Sequence, residues 1–107
     1  MMLKIFGTMI QKGRNYNFPE SIQIWRKGEK VPEWLSDRAC ITSIDMKLGY
    51  NLKYRNTTTG GYEILDSSGI NVLVRSKNID DYICLGDNGK IFSLSPKQLN
   101  LLYKNER

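Results

Sequence analysis

The sequence predicts a mainly β fold, a small open barrel or β-meander with one short helical turn. Three observations lead there. Residues 49–55, GYNLKYR, alternate apolar and polar, the period of two that marks a half-buried strand. Residues 62–69 and 82–89 form a near-repeat, in which a tyrosine opens a short apolar run and a polar stretch closes it on glycine. Pro96 interrupts the C-terminal apolar stretch 91–103. Proline has no N–H and disfavours α geometry at the residue before it, so no continuous helix crosses that stretch.

In chain order, MLKIF (2–6) and IQIW (22–25) are strand candidates. KGEKVPEWLSDR (27–38) contains Pro32, which rules out a central strand but is tolerated at the first position of a helical turn. Such a turn over Pro32–Leu35 directs Trp34 and Leu35 into the core. ACITSID (39–45) is rich in β-branched residues, and MKLG connects it to the alternating strand as a hairpin. RNTTTGG (55–61) reads as a flexible or binding loop, and KNIDD (77–81) as a locally acidic, solvated one. Asp66-Ser67-Ser68-Gly69 and Asp87-Asn88-Gly89 are turn signals, with INVLVRS and KIFSL as the return strands. After Ser95, which can cap a turn over 96–98, two endings compete. Either LNLLY closes as a strand, or a helix runs from 96 to 105.

The chain has 107 residues, 40% hydrophobic and 25% charged, which suits one globular domain over 1–107. Residues 1–21 read as an N-terminal extension or edge strand, and 22–103 as the barrel core. The net charge is +5, and residues 1–60 carry ten Lys/Arg against five Asp/Glu, whereas 61–107 carry six against six. The basic half can steer an acidic partner, whether a protein, a nucleoprotein, nucleic acid or an anionic cell-wall polymer. A charge of this size also serves solubility without any partner.

Several chemistries lack their residues. The chain has no histidine, which removes the commonest general base and metal ligand and every Ser-His-Asp or Cys-His arrangement. Cys40 and Cys84 form no CxxC pair and read as buried free thiols. TTTGG lacks the lysine and spacing of a phosphate loop, and no Ser-x-x-Lys motif occurs. Neither a cofactor nor a metal site is expected. The N-terminus has no signal-peptide pattern and no stretch has the length of a membrane span, so a cytoplasmic protein without membrane contact is expected.

What remains is aromatic residues interleaved with basic ones. Trp25-Arg26-Lys27 is one cluster. Lys47, Tyr50, Lys53, Tyr54 and Arg55 make another. Aromatics stack on bases, sugars or partner side chains, while Lys and Arg neutralise anions. Alternation puts Tyr50 and Tyr54 opposite Lys53 and Arg55, which also fits core aromatics beneath a solvated basic face. The partner-contact candidates are Trp25, Arg26, Lys27, Lys47, Lys53, Arg55 and Tyr62, with Trp34 beside them.

The strand, the SPKQL turn and a short last strand resemble the close of small Src-homology-3-like barrels. RKGEKVPEWL, ACITSID and GYNLKYR resemble the same barrels, over residues 22–103. Stand-alone versions include wall-binding modules of bacterial and phage lysins and short phage accessory proteins. The resemblance implies a non-enzymatic binding protein that occupies a surface of a host or defence complex, an anti-CRISPR-like action, in a host cytoplasm. A cell-wall binding module and a nucleic-acid-binding small barrel are the alternatives.

Overall fold

The computed structural model describes residues 8–40, 52–56 and 60–105, with only the backbone described for 52–56. The candidate strand 2–6, most of 39–45, the MKLG connection, Lys47, Tyr50 and the tip of the 55–61 loop lie outside the described residues. Among the described residues the fold is mainly β, in two antiparallel sheets that do not close into one barrel. The first sheet has the order β7-β6-β2-β1-β8, from β1 (Met9–Gln11), β2 (Ser21–Arg26), β6 (Tyr82–Gly86), β7 (Ile91–Leu94) and β8 (Tyr103–Asn105). The second has the order β3-β4-β5, from β3 (Leu52–Asn56), β4 (Gly60–Leu65) and β5 (Val72–Asn78). Two short helices accompany them, α1 (Glu33–Ser36) and α2 (Pro96–Leu102).

The near-repeat builds one hairpin in each sheet. Tyr62 lies in β4 and Tyr82 opens β6, and Gly69 and Gly89 reverse the chain with φ of 75° and 84°. Glycine takes that left-handed conformation without a Cβ clash. At the first turn Asp66 accepts from Ser68 Oγ at 2.5 Å and from Ser68 N at 3.1 Å. The Ser68 hydroxyl, ahead of smaller contributions from Asn71, holds this carboxyl below its ordinary range.

Strand alternation sorts the apolar side chains into two cores. Met9, Ile22, Ile24, Tyr82, Cys84, Leu94, Leu99 and Tyr103 form the first, where α2 packs on one face of the five-stranded sheet. Trp25 and Ile83, on the other face of β2 and β6, join Leu35, Ala39, Tyr62, Ile64 and Val74 in the second, between the sheets. Ser93 Oγ donates to the Arg75 carbonyl at 2.7 Å and ties β7 to β5.

Four expectations are revised. Residues 9–11 are not an extension or an edge strand. They lie between β2 and β8, with Met9 opposite both Ile22 and Asn105. At the C-terminus both endings occur in turn, because Ser95, Pro96 and Gln98 make a capping box that supports a helix to Leu102. Gln98 N donates to Ser95 Oγ at 3.1 Å and Ser95 N to Gln98 Oε1 at 3.0 Å, and only from Tyr103 does the chain extend. Within 55–61, residues 55, 56, 60 and 61 belong to strands. The alternation of 49–55 breaks at its end: Tyr54 opposes Tyr62 but Asn56 opposes Gly61, which leaves Arg55 as the extra residue of a β-bulge.

α1 is the expected single turn, but Leu35 fills the core at 0% exposure while Trp34 is only half-buried against it. The buried tryptophan is Trp25, whose indole N–H donates to the Glu29 carbonyl at 3.0 Å.

Candidate basic interface

Of the residues singled out by sequence, Trp25 and Tyr62 are core residues, each 1% exposed, so neither ring is a surface contact. An aromatic groove of the kind a wall-binding module needs is not built from these two rings. Arg26 and Lys27 stand directly beyond Trp25, where β2 ends, and both remain partly exposed. The Arg26 guanidinium lies 5.0 Å from the Tyr82 ring centroid, and the Lys27 ammonium 5.6 Å from that of Tyr62. Consecutive cations thus cover the paired tyrosines of the near-repeat, one in each sheet. A cation over a ring face is held by the ring quadrupole.

The neighbours of this pair come from elements the sequence did not connect. Gly61 packs so closely on β5 that a Cβ there would meet the Lys77 carbonyl oxygen at 2.7 Å. Lys77 is exposed at the same end of the sheet. Lys53 opposes Glu63 in register, and Glu63 opposes Arg75 on its other side. The Glu63 carboxylate is buried and accepts from Arg75 Nε at 2.8 Å. Arg55 enters the same end by register, in the bulge next to Gly61 and Tyr62. Lys47 lies outside the described residues.

The acidic loop 77–81 is not uniformly solvated. Asp80 is exposed, but Asp81 is 4% exposed, and its Oδ2 accepts from the N–H groups of Lys77 at 3.1 Å and Asn78 at 3.2 Å. Adjacent residues diverge, so one aspartate caps the turn while the other faces water. Among the described residues, Tyr62 Oη and Asp81 Oδ1 are enclosed and have no hydrogen-bond partner. Burial pushes the Tyr62 phenol well up from its ordinary value; Ser76 opposes that rise and the Asp81 charge adds to it.

Tyr82 as the neighbour of Arg26, and Tyr62 as that of Lys27, were missed. The signal available was the near-repeat itself, which placed Tyr62 and Tyr82 in equivalent positions without saying that one β2 terminus would reach both.

The thiols are free, with Cys84 buried and Cys40 partly so. Burial pushes Cys84 up from 9.0 to about 12, which removes thiolate character at neutral pH. No helix among the described residues is long and apolar enough to cross a membrane. No protein-family model, curated protein or solved structure matches the chain significantly.

Proposed function

We propose that the chain is a non-enzymatic binding protein that occupies an acidic surface of a protein or nucleoprotein partner through its basic end. The observation that carries this reading is the convergence of Arg26 and Lys27 over two tyrosine rings beside the exposed Lys77. Arg55 is brought to the same end by register. The absence of histidine from the sequence and its net charge of +5 support the same reading. Cations braced by aromatic rings keep fixed positions, which favours steering and register over non-specific adhesion. A small surface-occupying protein of this kind suits a phage or mobile-element accessory role, the inhibition of a host or defence complex in the cytoplasm.

The test is affinity capture from bacterial lysate, with and without nuclease, in parallel with purified cell walls. A protein captured after nuclease, and lost on Lys77→Glu, supports the proposal. Retention on walls, or loss of all capture with nuclease, replaces it with a wall-binding or a nucleic-acid-binding function. The Lys53→Glu, Arg55→Glu pair tests whether β3 contributes. It should weaken capture and flatten its salt dependence if this strand belongs to the interface.

A further inference from the structure

We propose that the loop joining β1 to β2, residues 12–20, is a preorganised docking surface for a second protein that presents a carboxylate side chain beside an apolar one. The inference rests on the reading of the chain as a binding protein, but it concerns the opposite end of β2. At ~3.3 Å per residue that end is roughly 17 Å from Arg26.

Gln11 is the hub of this loop. Its Nε2 donates to the carbonyls of Asn15, Phe18 and Pro19 at 2.9, 2.8 and 3.0 Å, and its Oε1 accepts from Asn15 N at 3.1 Å. The buried Tyr103 hydroxyl donates to the Pro19 carbonyl at 2.5 Å, and Lys12 N donates to the Leu102 carbonyl at 2.9 Å. Stem and middle are thus tied to the sheet and to α2. A loop fixed before binding avoids the ordering cost of a flexible one.

On this fixed backbone Arg14 and Tyr16 point outward. Tyr16 is 86% exposed, its Oη accepts from Arg14 Nη1 at 3.0 Å, and the guanidinium lies 5.6 Å from its ring centroid. Tyrosine and arginine are the residue types in which interface binding energy concentrates. Beside them is an open cleft of about 380 Å³ whose walls include Lys12, Arg14 and Glu20. Leu101, 66% exposed, precedes the Leu102 carbonyl that Lys12 binds, and Lys104 opposes Ile10 in register.

Lys12, Arg14 and Lys104 favour an anionic occupant. Glu20 and Leu101 decide which class. A phosphate backbone running through the cleft would meet the Glu20 carboxylate, and beyond the single Tyr16 ring, one face of which Arg14 covers, the exposed apolar side chain is the aliphatic Leu101, on which a base cannot stack. The Lys12 ammonium donates to the Asn100 carbonyl and keeps further N–H donors, so a protein can place its carboxylate between it and Arg14, answer Glu20 with a cation, and cover Leu101 and the Tyr16 ring.

The experiment uses the full chain and two fluorescein-labelled probes, a peptide of alternating glutamate and leucine and a single-stranded thymidine oligonucleotide. Anisotropy is read at about 50 mM and about 200 mM salt. Thermal melting first verifies that Arg14→Glu, Arg14→Gln and Tyr16→Ala fold, as the exposure of both side chains leads one to expect. The peptide should bind. Arg14→Glu should weaken it by about tenfold, and Arg14→Gln and Tyr16→Ala by at least about threefold, while Lys30→Gln, a charge loss at an exposed position outside both surfaces, leaves it unchanged. No peptide binding, or equal binding by Arg14→Glu, overturns the proposal. So does preferential binding of the oligonucleotide with loss on Arg14→Glu, which makes the loop a nucleic-acid surface. Equal binding by Arg14→Glu together with loss on Lys77→Glu, the substitution that tests the basic end, rejects the loop and leaves the basic end as the interface.

Discussion

Leu35→Ala is the substitution that most directly probes how the two sheets are held together. Leu35 is 0% exposed and projects from the single turn α1 into the core between the sheets, among Trp25, Tyr62, Ile64, Val74 and Ile83. The change removes three carbons, which at about 0.8 kcal/mol each costs about 2.4 kcal/mol of transfer free energy. The surrounding strands are pinned by their ladders and collapse little. A residual void of some tens of Å³ at about 24 cal/mol per Å³ therefore adds about 1 to 2 kcal/mol. The total is about 4 kcal/mol. Urea denaturation, followed by the fluorescence of the buried Trp25, is the assay. With a slope of about 1.5 kcal/mol per M, the midpoint should fall by about 2.7 M. Trp34→Ala is the paired control, because Trp34 only leans on this core. It should cost about 1 to 2 kcal/mol. If the two midpoints fall equally, or Trp34→Ala has the larger effect, the assignment of Leu35 as the plug is wrong.

Stability should decline on the alkaline side. Cys84 is raised from 9.0 to about 12, so above pH 9 the unfolded chain loses a proton that the native chain keeps. A raised native pKa gives stability that is complete below the unfolded value and lost as pH rises through the native one, with a slope of about 1.4 kcal/mol per pH unit. Tyr62 and Tyr103 are also raised, mainly by burial, and add to the decline. Urea midpoints measured from about pH 8 to about pH 11 should show the fall, and Cys84→Ala should make it shallower; a flat profile contradicts the burial of these groups. Gly61→Ala places a Cβ 2.7 Å from the Lys77 carbonyl oxygen, a backbone atom that cannot rotate away. It should destabilise by about 1 to 3 kcal/mol in the same assay, and a neutral result would show that β4 and β5 are not so close. Ser95→Ala removes the acceptor for Gln98 N and should cost about 1 kcal/mol, read as a lower melting temperature.

Strand identity was legible wherever one face is wet and a turn is marked by glycine. β2, β4, β5, β6 and β7 all follow expected runs, because alternation and Asp/Asn-Gly chemistry are local signals. The sheet partners were not legible. β1 is three residues long and is held between β2, the next strand in sequence, and β8, at the far end of the chain, with Met9 facing both Ile22 and Asn105. Nothing local marks such a position. The choice between tryptophans failed for a related reason. Trp25 and Trp34 both sit beside basic or acidic residues in apolar runs. Only the packing of α1 against the second sheet decides that Trp25 and Leu35 go in and that Trp34 stays at the margin. Asp81 was unreadable from composition, since a DD pair looks solvated until a turn aims one carboxylate at its own backbone N–H groups.

At the basic end, surface charge and sheet packing rest on the same two side chains. Arg26 is the last residue of β2 and Lys27 the first of the turn that follows, and the two cations reach different rings. Tyr82 belongs to the first sheet and Tyr62 to the second, so the pair engages both sheets from one strand terminus. The two cations hold their tyrosine rings while keeping part of their surface in water. A partner's carboxylate that approaches them therefore meets positions already fixed by the core, with little side-chain freedom left to lose. The same coupling means that neutralising Arg26 or Lys27 alters packing as well as charge. Lys77 is exposed and takes no part in the contacts that Arg26 and Lys27 make with these two rings, so a charge change there tests the end without removing either ring's cation.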